Sequence, residues 1–100
     1  MPQIQHIVLL KFKLEVTAEK IAELFGLLAK LQHLIPGIAY YVGGSNSSPE
    51  ELNQGYTHGF MMTFENVAAR DTYLPHPEHE RVKDELLKCI DGSLVFDFEA

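Results

Sequence analysis

Residues 4–12 of the chain read IQHIVLLKF, a run of branched and large apolar residues that predicts a β-strand. In such a strand His6 and Val8 point to one face, and Ile7 and Leu9 point to the other. A sheet with one face in water alternates apolar and polar side chains. This strand is apolar on both sides, so the sequence indicates a sheet that is covered on both faces.

The remaining segments predict the element order βαββαβ with a short extra helix, which is a ferredoxin-like α+β protomer. Its helices would lie on one face of an antiparallel sheet. Because two helices cover only one face, we expect a second copy to cover the other, sheet against sheet, in a closed two-fold dimer. The expected bounds are a helix capped by Thr17 and stopped by Ile35-Pro36-Gly37, a strand at 38–43, a loop at 43–54, a strand at 56–65, a helix from Asn66 to near Tyr73, a helix from Pro77 to Ile90 stopped by Gly92, and a strand at 94–98.

The composition limits the function classes. One domain over residues 1–100 is expected, and 8 basic against 14 acidic residues give a formal charge of −6. Nucleic acid is not an expected partner, because phosphate binding needs clustered Lys and Arg. No apolar run approaches membrane-spanning length and no signal-peptide pattern is seen, so we expect no membrane partner and a cytoplasmic location. The single cysteine, Cys89, excludes an internal disulfide and a cysteine metal cluster.

Residues 70–79 read RDTYLPHPEH and predict the start of a helix. Pro77 suits a first helical position, with His76 as the N-cap before it. His79 then falls on the apolar stripe of this helix, next to Tyr73 in the predicted fold. A titratable ring that points to the core beside a tyrosine is typical of a small binding pocket, and equally of a structural histidine.

Several short motifs follow one another along the chain in the order known from one protein family. They are His6-Ile7-Val8 with Lys11-Phe12-Lys13, Ile35-Pro36-Gly37, Asn46 with Ser48-Pro49-Glu50, Gly55-Tyr56-Thr57-His58-Gly59-Phe60, Thr63-Phe64-Glu65, Tyr73-Leu74-Pro75-His76-Pro77 with His79, and Val95-Phe96-Asp97-Phe98. On these motifs the chain resembles the stress-responsive A/B barrel (Dabb) family. The resemblance implies a homodimeric αβ-barrel in which two sheets face each other and the helices lie outside.

One branch of this family, that of olivetolic acid cyclase, cyclises a polyketide in a pocket between helices and sheet. By position, His6 matches the strand histidine of that pocket, His79 the helix histidine and Tyr73 the middle-helix tyrosine. The pocket's first-helix tyrosine falls on Leu28, which cannot donate a hydrogen bond. The resemblance therefore implies a related pocket, with little activity on the same polyketide.

A cyclising aldol reaction needs a base beside a carbonyl and a donor for the enolate oxygen. We predict His79, His6 and Tyr73 as the catalytic residues of a cyclase-like or proton-transferring enzyme that takes a small apolar or aromatic acid. The alternative is a non-enzymatic structural or stress-protective homodimer in which the histidines only stabilise the fold. No cofactor is expected, and His76 with His79 lacks the further ligands of a zinc site. The predicted substrate-binding residues are Val8, Phe25, Leu28, Leu74 and Val82.

Overall fold

The computed structural model describes residues 2–100 and has the predicted order of elements. The four strands form one antiparallel sheet in the order β2-β3-β1-β4. The helices pack on one face of it, as in the ferredoxin-like α+β fold, so the predicted fold class is confirmed. The elements are β1 (Ile4–Phe12), α1 (Ala18–Leu34), β2 (Ile38–Ser45), β3 (His58–Phe64), α2 (Val67–Tyr73), α3 (Pro77–Leu87) and β4 (Ile90–Glu99).

All three helices begin at the caps that the sequence predicts. Thr17, Asn66 and His76 are the N-caps of α1, α2 and α3. The Nδ1 atom of His76 accepts a hydrogen bond from the backbone N–H of Glu78 at 3.1 Å, and Pro77 is the first helical residue. This bond satisfies a donor that the helix itself leaves free.

The third helix is shorter than predicted, because residues 88 and 89 form a turn and the next residue belongs to the sheet. α3 ends at Leu87, and Ile90 is already the first residue of β4. Ile90 pairs with Phe12 across a register shift in β1, and Gly92 pairs with Lys11. Gly92 therefore does not stop a helix. The pairing of nine β1 residues with β4 outweighs the helical spacing of the apolar residues around Cys89.

β2 also runs two residues further than the predicted strand at 38–43, to Ser45, and contains both Gly43 and Gly44. A Cβ on Gly43 would lie 2.9 Å from side-chain atoms of Phe25 and Phe60. Glycine therefore lets β2 approach α1 closely at this point. The third strand is trimmed at both ends relative to the prediction, to His58–Phe64.

The two faces of the sheet differ in exposure as the alternation of β1 predicts. His6, Val8 and Leu10 are buried under the helices. On the opposite face Phe96 is 65% exposed and Leu94 is 51% exposed, and nothing in the described protomer covers them. No helix within residues 2–100 has the length and apolar character required to cross a membrane. The fully buried core comprises Leu10, Leu24, Leu31, Ile35, Met62, Phe64 and Tyr73.

Candidate active site

A cavity of about 290 Å³ lies between α1, α3 and the inner face of the sheet. Its inner end is formed by buried residues such as Leu10 and Tyr73. It reaches the surface between α3 and β4, where Leu87 is 53% exposed and Val95 is 60% exposed. The cavity is therefore closed at one end and open at the other. Its lining residues are His6, Val8, Leu10, Leu28, Phe60, Tyr73, Leu74, His79, Lys83, Leu86, Leu87, Ile90, Ser93 and Val95.

Six of the eight site residues predicted from the sequence line this cavity. Two do not. The ring of Phe25 packs against those of Phe12 and His58, with centroids 6.5 and 5.9 Å away, toward the other end of α1. Val82 is buried in the core instead of facing the cavity. The six that line it are His6, Val8, Leu28, Tyr73, Leu74 and His79.

His79 is held in one orientation by the chain that precedes its helix. Its Nδ1 lies 2.8 Å from the carbonyl oxygen of Leu74. Because a carbonyl only accepts, Nδ1 carries the proton and donates it, and in the neutral ring Nε2 is the free base. The carboxylate of Glu80 is 3.6 Å from Nδ1, which is too long for a hydrogen bond.

The pKa of His79 is lower than that of an ordinary histidine. The main cause is burial, which penalises the charged ring, and the charges of Lys83 and His6 act in the same direction. The hydrogen bond to Leu74 and the nearby Glu80 oppose this shift without cancelling it. At neutral pH the ring is therefore neutral and able to accept a proton.

His6 belongs to a chain of paired groups that ends at the cavity. Its Nδ1 lies 2.6 Å from Oδ1 of Asp97, the residue directly opposite on β4. The second oxygen, Oδ2, accepts a hydrogen bond from Nη1 of Arg70 at 2.9 Å. Because the carboxylate accepts from both, Nδ1 of His6 is the donor and Nε2 is the ring atom left for a ligand.

Tyr73 lies between the two histidines. Its ring centroid is 4.3 Å from that of His79 and 6.1 Å from that of His6. Burial raises the pKa of Tyr73 well above its ordinary value, so the hydroxyl keeps its proton and acts as a donor. Within the described residues, no buried side-chain polar atom is left without a partner. The cavity thus brings together a free base and a protonated hydroxyl.

No metal site accompanies these groups in the part of the chain that the structure describes. Within residues 2–100, no cluster of three or more His, Cys, Asp or Glu side chains is placed to hold a metal ion. His76 and His79 each use Nδ1 in a hydrogen bond to the backbone.

The family profile of the Stress responsive A/B Barrel Domain (Dabb) matches residues 4–100. This chain belongs to the Dabb family. Relatives agree with this assignment over nearly the whole domain. The chain is 38% identical over 96 residues to the stress-response A/B barrel domain-containing protein HS1 of Arabidopsis thaliana. The aligned region covers 96% of this chain and 88% of that protein.

Two further similar proteins bear on the site and on the assembly. Olivetolic acid cyclase of Cannabis sativa is 30% identical, covering 95% of this chain and 94% of that protein. A crystal structure from Jannaschia sp., described as a dimeric ferredoxin-like protein of unknown function, has 32% identity and a TM-score of 0.88. It covers 98% of this chain and 99% of its own.

The site contains three residues that the sequence prediction does not include: Asp97, Arg70 and Lys83. Asp97 was noted only within a family motif, although it shares the inner face of β4 with Val95 two residues before it. Arg70 is on α2, and the sequence spacing says nothing about its distance from β4. Lys83 could have been found, since it follows His79 by four residues on the same helical face.

Proposed function

We propose that this Dabb domain binds a small apolar carbonyl compound and removes a proton from the carbon next to the carbonyl. One observation carries the proposal. His79 donates through Nδ1 to Leu74, which leaves a neutral ring with a free Nε2 in a cavity beside Tyr73. A base and a donor within one apolar cavity are what enolate chemistry needs.

Each residue has one role in this step. The C–H bond next to the carbonyl breaks, its proton goes to Nε2 of His79, and its electron pair forms the enolate. The hydroxyl of Tyr73 donates a hydrogen bond to the enolate oxygen. Nε2 of His6 faces the same ligand and is kept in place by Asp97. Protonated His79 then returns the proton to carbon. Alternatively, the enolate carbon attacks a second carbonyl of the ligand and closes a ring, the C=O electron pair moves onto that oxygen, and protonated His79 gives its proton to the alkoxide.

The similarity to olivetolic acid cyclase supports a reaction of this class, and Leu28 argues against the same substrate. Leu28 is buried against the cavity where the cyclase, by position, has a tyrosine. Loss of one positioned donor costs about 3 to 4 kcal/mol of transition-state stabilisation. We therefore propose proton transfer on a more apolar ligand.

A structural role is the second candidate, and the same hydrogen bonds favour it. The bonds from His6 to Asp97 and from His79 to Leu74 join β1 to β4 and α3 to the turn before it. A stress-protective homodimer would need these contacts and no ligand. The two functions differ in whether the cavity is used.

We also propose that the protein is a homodimer through the uncovered face of its sheet. The exposed apolar residues of this face and the dimeric relative from Jannaschia support it. A cytoplasmic location stays a prediction, and cell fractionation would check it.

Exchange of carbon-bound protons tests the enzymatic proposal directly. 2-Heptanone is an apolar ketone whose size suits a cavity of about 290 Å³. In D2O at pH 7.5, we expect the protein to accelerate replacement of the protons next to its carbonyl, followed by proton NMR. The His79→Ala variant should lose this acceleration, because the base is gone.

His33→Ala is the matched control, since it removes an exposed histidine at the end of α1 and should keep full exchange. Binding without exchange, seen as shifts of Tyr73 and His79 signals alone, would refute the chemistry. Absence of both binding and exchange would favour the structural candidate.

A further inference from the structure

Lys83 stands out among the residues that line the cavity. Of the lining residues in the described chain, Lys83 alone carries a full positive charge at neutral pH. The rest are apolar apart from the two histidines, Tyr73 and Ser93. A lysine is also unexpected on this face of α3, which otherwise turns His79 and Leu86 toward the cavity.

The position of Lys83 is at the open end of the cavity. It is one helical turn after His79, about 6 Å further along the helix axis. Its neighbour Leu87 is exposed, and so is Ser93 on the β4 side of the opening. Both residues line the cavity, and the side chain of Lys83 is 44% exposed whereas that of His79 is 15% exposed. The ammonium group thus lies at the mouth and the base lies deeper.

We propose that Lys83 binds the carboxylate of the ligand at the mouth of the cavity, so that the site selects short apolar acids over neutral compounds of the same size. This inference rests on the proposed function of the cavity and names the class of ligand. The apolar chain and its carbonyl would extend inward past Leu87 toward Tyr73 and His79. A short spacer between carboxylate and carbonyl matches the separation of one helical turn.

A carboxylate fits this mouth better than other charged groups. The lining offers one ammonium group and the hydroxyl of Ser93, which match a single negative charge. A cationic ligand would be repelled by the ammonium group of Lys83. The chain as a whole has a formal charge of −6, so one cation in the lining is a local exception to its electrostatics.

The present partner of Lys83 leaves it free to bind a ligand. Its Nζ lies 3.1 Å from Oε1 of Glu80, and both side chains are 44% exposed. Such an exposed pair contributes little to stability. The ammonium group has three donors, so it can bind a second carboxylate without releasing the first.

Two ligands of equal length test the charge requirement. We would titrate hexanoate and hexanamide into the protein at pH 7.5 and derive dissociation constants from NMR shifts. Hexanoate should bind about fivefold tighter than hexanamide, as expected for a partly exposed ion pair. The preference should shrink in 0.5 M NaCl, because salt screens exposed charges.

Lys83→Met should abolish the preference for hexanoate while leaving the affinity for hexanamide unchanged. Lys88→Met is the matched control: it removes an equal charge from the end of the same helix, but from a side chain that does not line the cavity. It should keep the fivefold preference.

The outcomes separate this inference from the proposed function. Equal binding of both ligands, or a preference that survives in Lys83→Met, would overturn the role of Lys83 and leave the proton-transfer proposal standing. If neither hexanoate nor hexanamide shifts any signal, and 2-heptanone neither binds nor exchanges, both proposals fall together.

Discussion

Both faces of the sheet are apolar, but the polar side chains on them are paired in different ways. On the inner face, His6 is buried and paired with Asp97, and Asp97 is paired with Arg70. On the outer face, the hydroxyl of Thr63 donates to the side chain of Gln5 at 2.7 Å, and the two satisfy each other. In the inner pair, Nε2 of His6 remains available to a ligand. The outer pair, Thr63 with Gln5, carries no charge.

The concave features of the two faces differ in the same way. The inner cavity is enclosed on several sides and holds two histidines, a tyrosine and a lysine. The outer face has a wider and shallower depression of about 630 Å³, whose floor includes Ile7, Leu9, Val42 and Met61. The lining of the outer depression combines these apolar residues with polar ones such as Asn46 and Ser48, and it includes no Asp, Glu, Lys or Arg. Such a broad surface suits protein packing, and an enclosed cavity with a few polar groups suits a small ligand. The difference supports our proposals of assembly through the outer face and chemistry in the inner cavity.

The largest expected effect comes from placing a charge on the outer face. Leu9 is in the centre of this face, paired with Gly59 and Leu94 on the two neighbouring strands. In Leu9→Asp or Met61→Asp, each copy would bring an unpaired carboxylate into the interface, at a cost of about 3 to 5 kcal/mol per charge. We expect sedimentation equilibrium to show loss of the dimer, and circular dichroism to show that the protomer unfolds with it.

Leu14→Asp is the control for this experiment. Leu14 is fully exposed in the turn after β1, so the same change of charge should leave dimer and fold intact. A wild-type protein that is monomeric at micromolar concentration, or a Leu9→Asp variant that stays dimeric, would contradict the assignment of this face.

A smaller effect is expected when the inner face loses its central carboxylate. Asp97→Ala removes the partner of both His6 and Arg70, two charge-assisted hydrogen bonds that are half-buried. We expect the free energy of unfolding to fall by about 2 kcal/mol, measured by urea denaturation. The dimer should survive, since Asp97 points away from the outer face.

Asp71→Ala provides the comparison for Asp97. Asp71 also accepts from Arg70, at 2.8 Å, but its side chain is 61% exposed. Its loss should cost less than about 0.5 kcal/mol. Equal costs for the two variants would mean that the chain from Arg70 to His6 does not stabilise the inner face.

Most of the fold could be predicted because each element has a local signal. Alternation marks β1, and Thr17, Asn66 and His76 mark the helix starts. The end of α3 could not be predicted from local signals. Ile90 continues the helical spacing, and only its pairing with Phe12 draws it into β4. Phe12 precedes Ile90 by 78 positions in the sequence, so this pairing is a long-range contact.

The site was predictable where the fold alone brings residues together. His6, Tyr73 and His79 face one cavity because their strand and helices have clear inward faces. Phe25 shares the apolar stripe of α1, but this long helix carries it beyond the cavity, to Phe12 and His58. A helical stripe gives the direction of a side chain and not its position along the groove, so Phe25 can share the stripe without lining the cavity.

The smallest expected effect is a change in how stability depends on pH. The unfolded chain has an ordinary histidine with a pKa near 6.5, and in the folded state the pKa of His79 is lower, mainly through burial. Below about pH 6.5 the unfolded state therefore binds a proton that the folded state resists, so the free energy of unfolding falls as the pH falls. The contribution of neutral His79 is complete above this pH and is lost as the pH drops through the folded pKa.

His79→Gln should lose this part of the slope between pH 7.5 and 5, measured by urea denaturation at each pH. His33→Gln shows how much of the change follows from removing any histidine. A His79→Gln variant with the wild-type slope would show that the ring is not held neutral by the cavity.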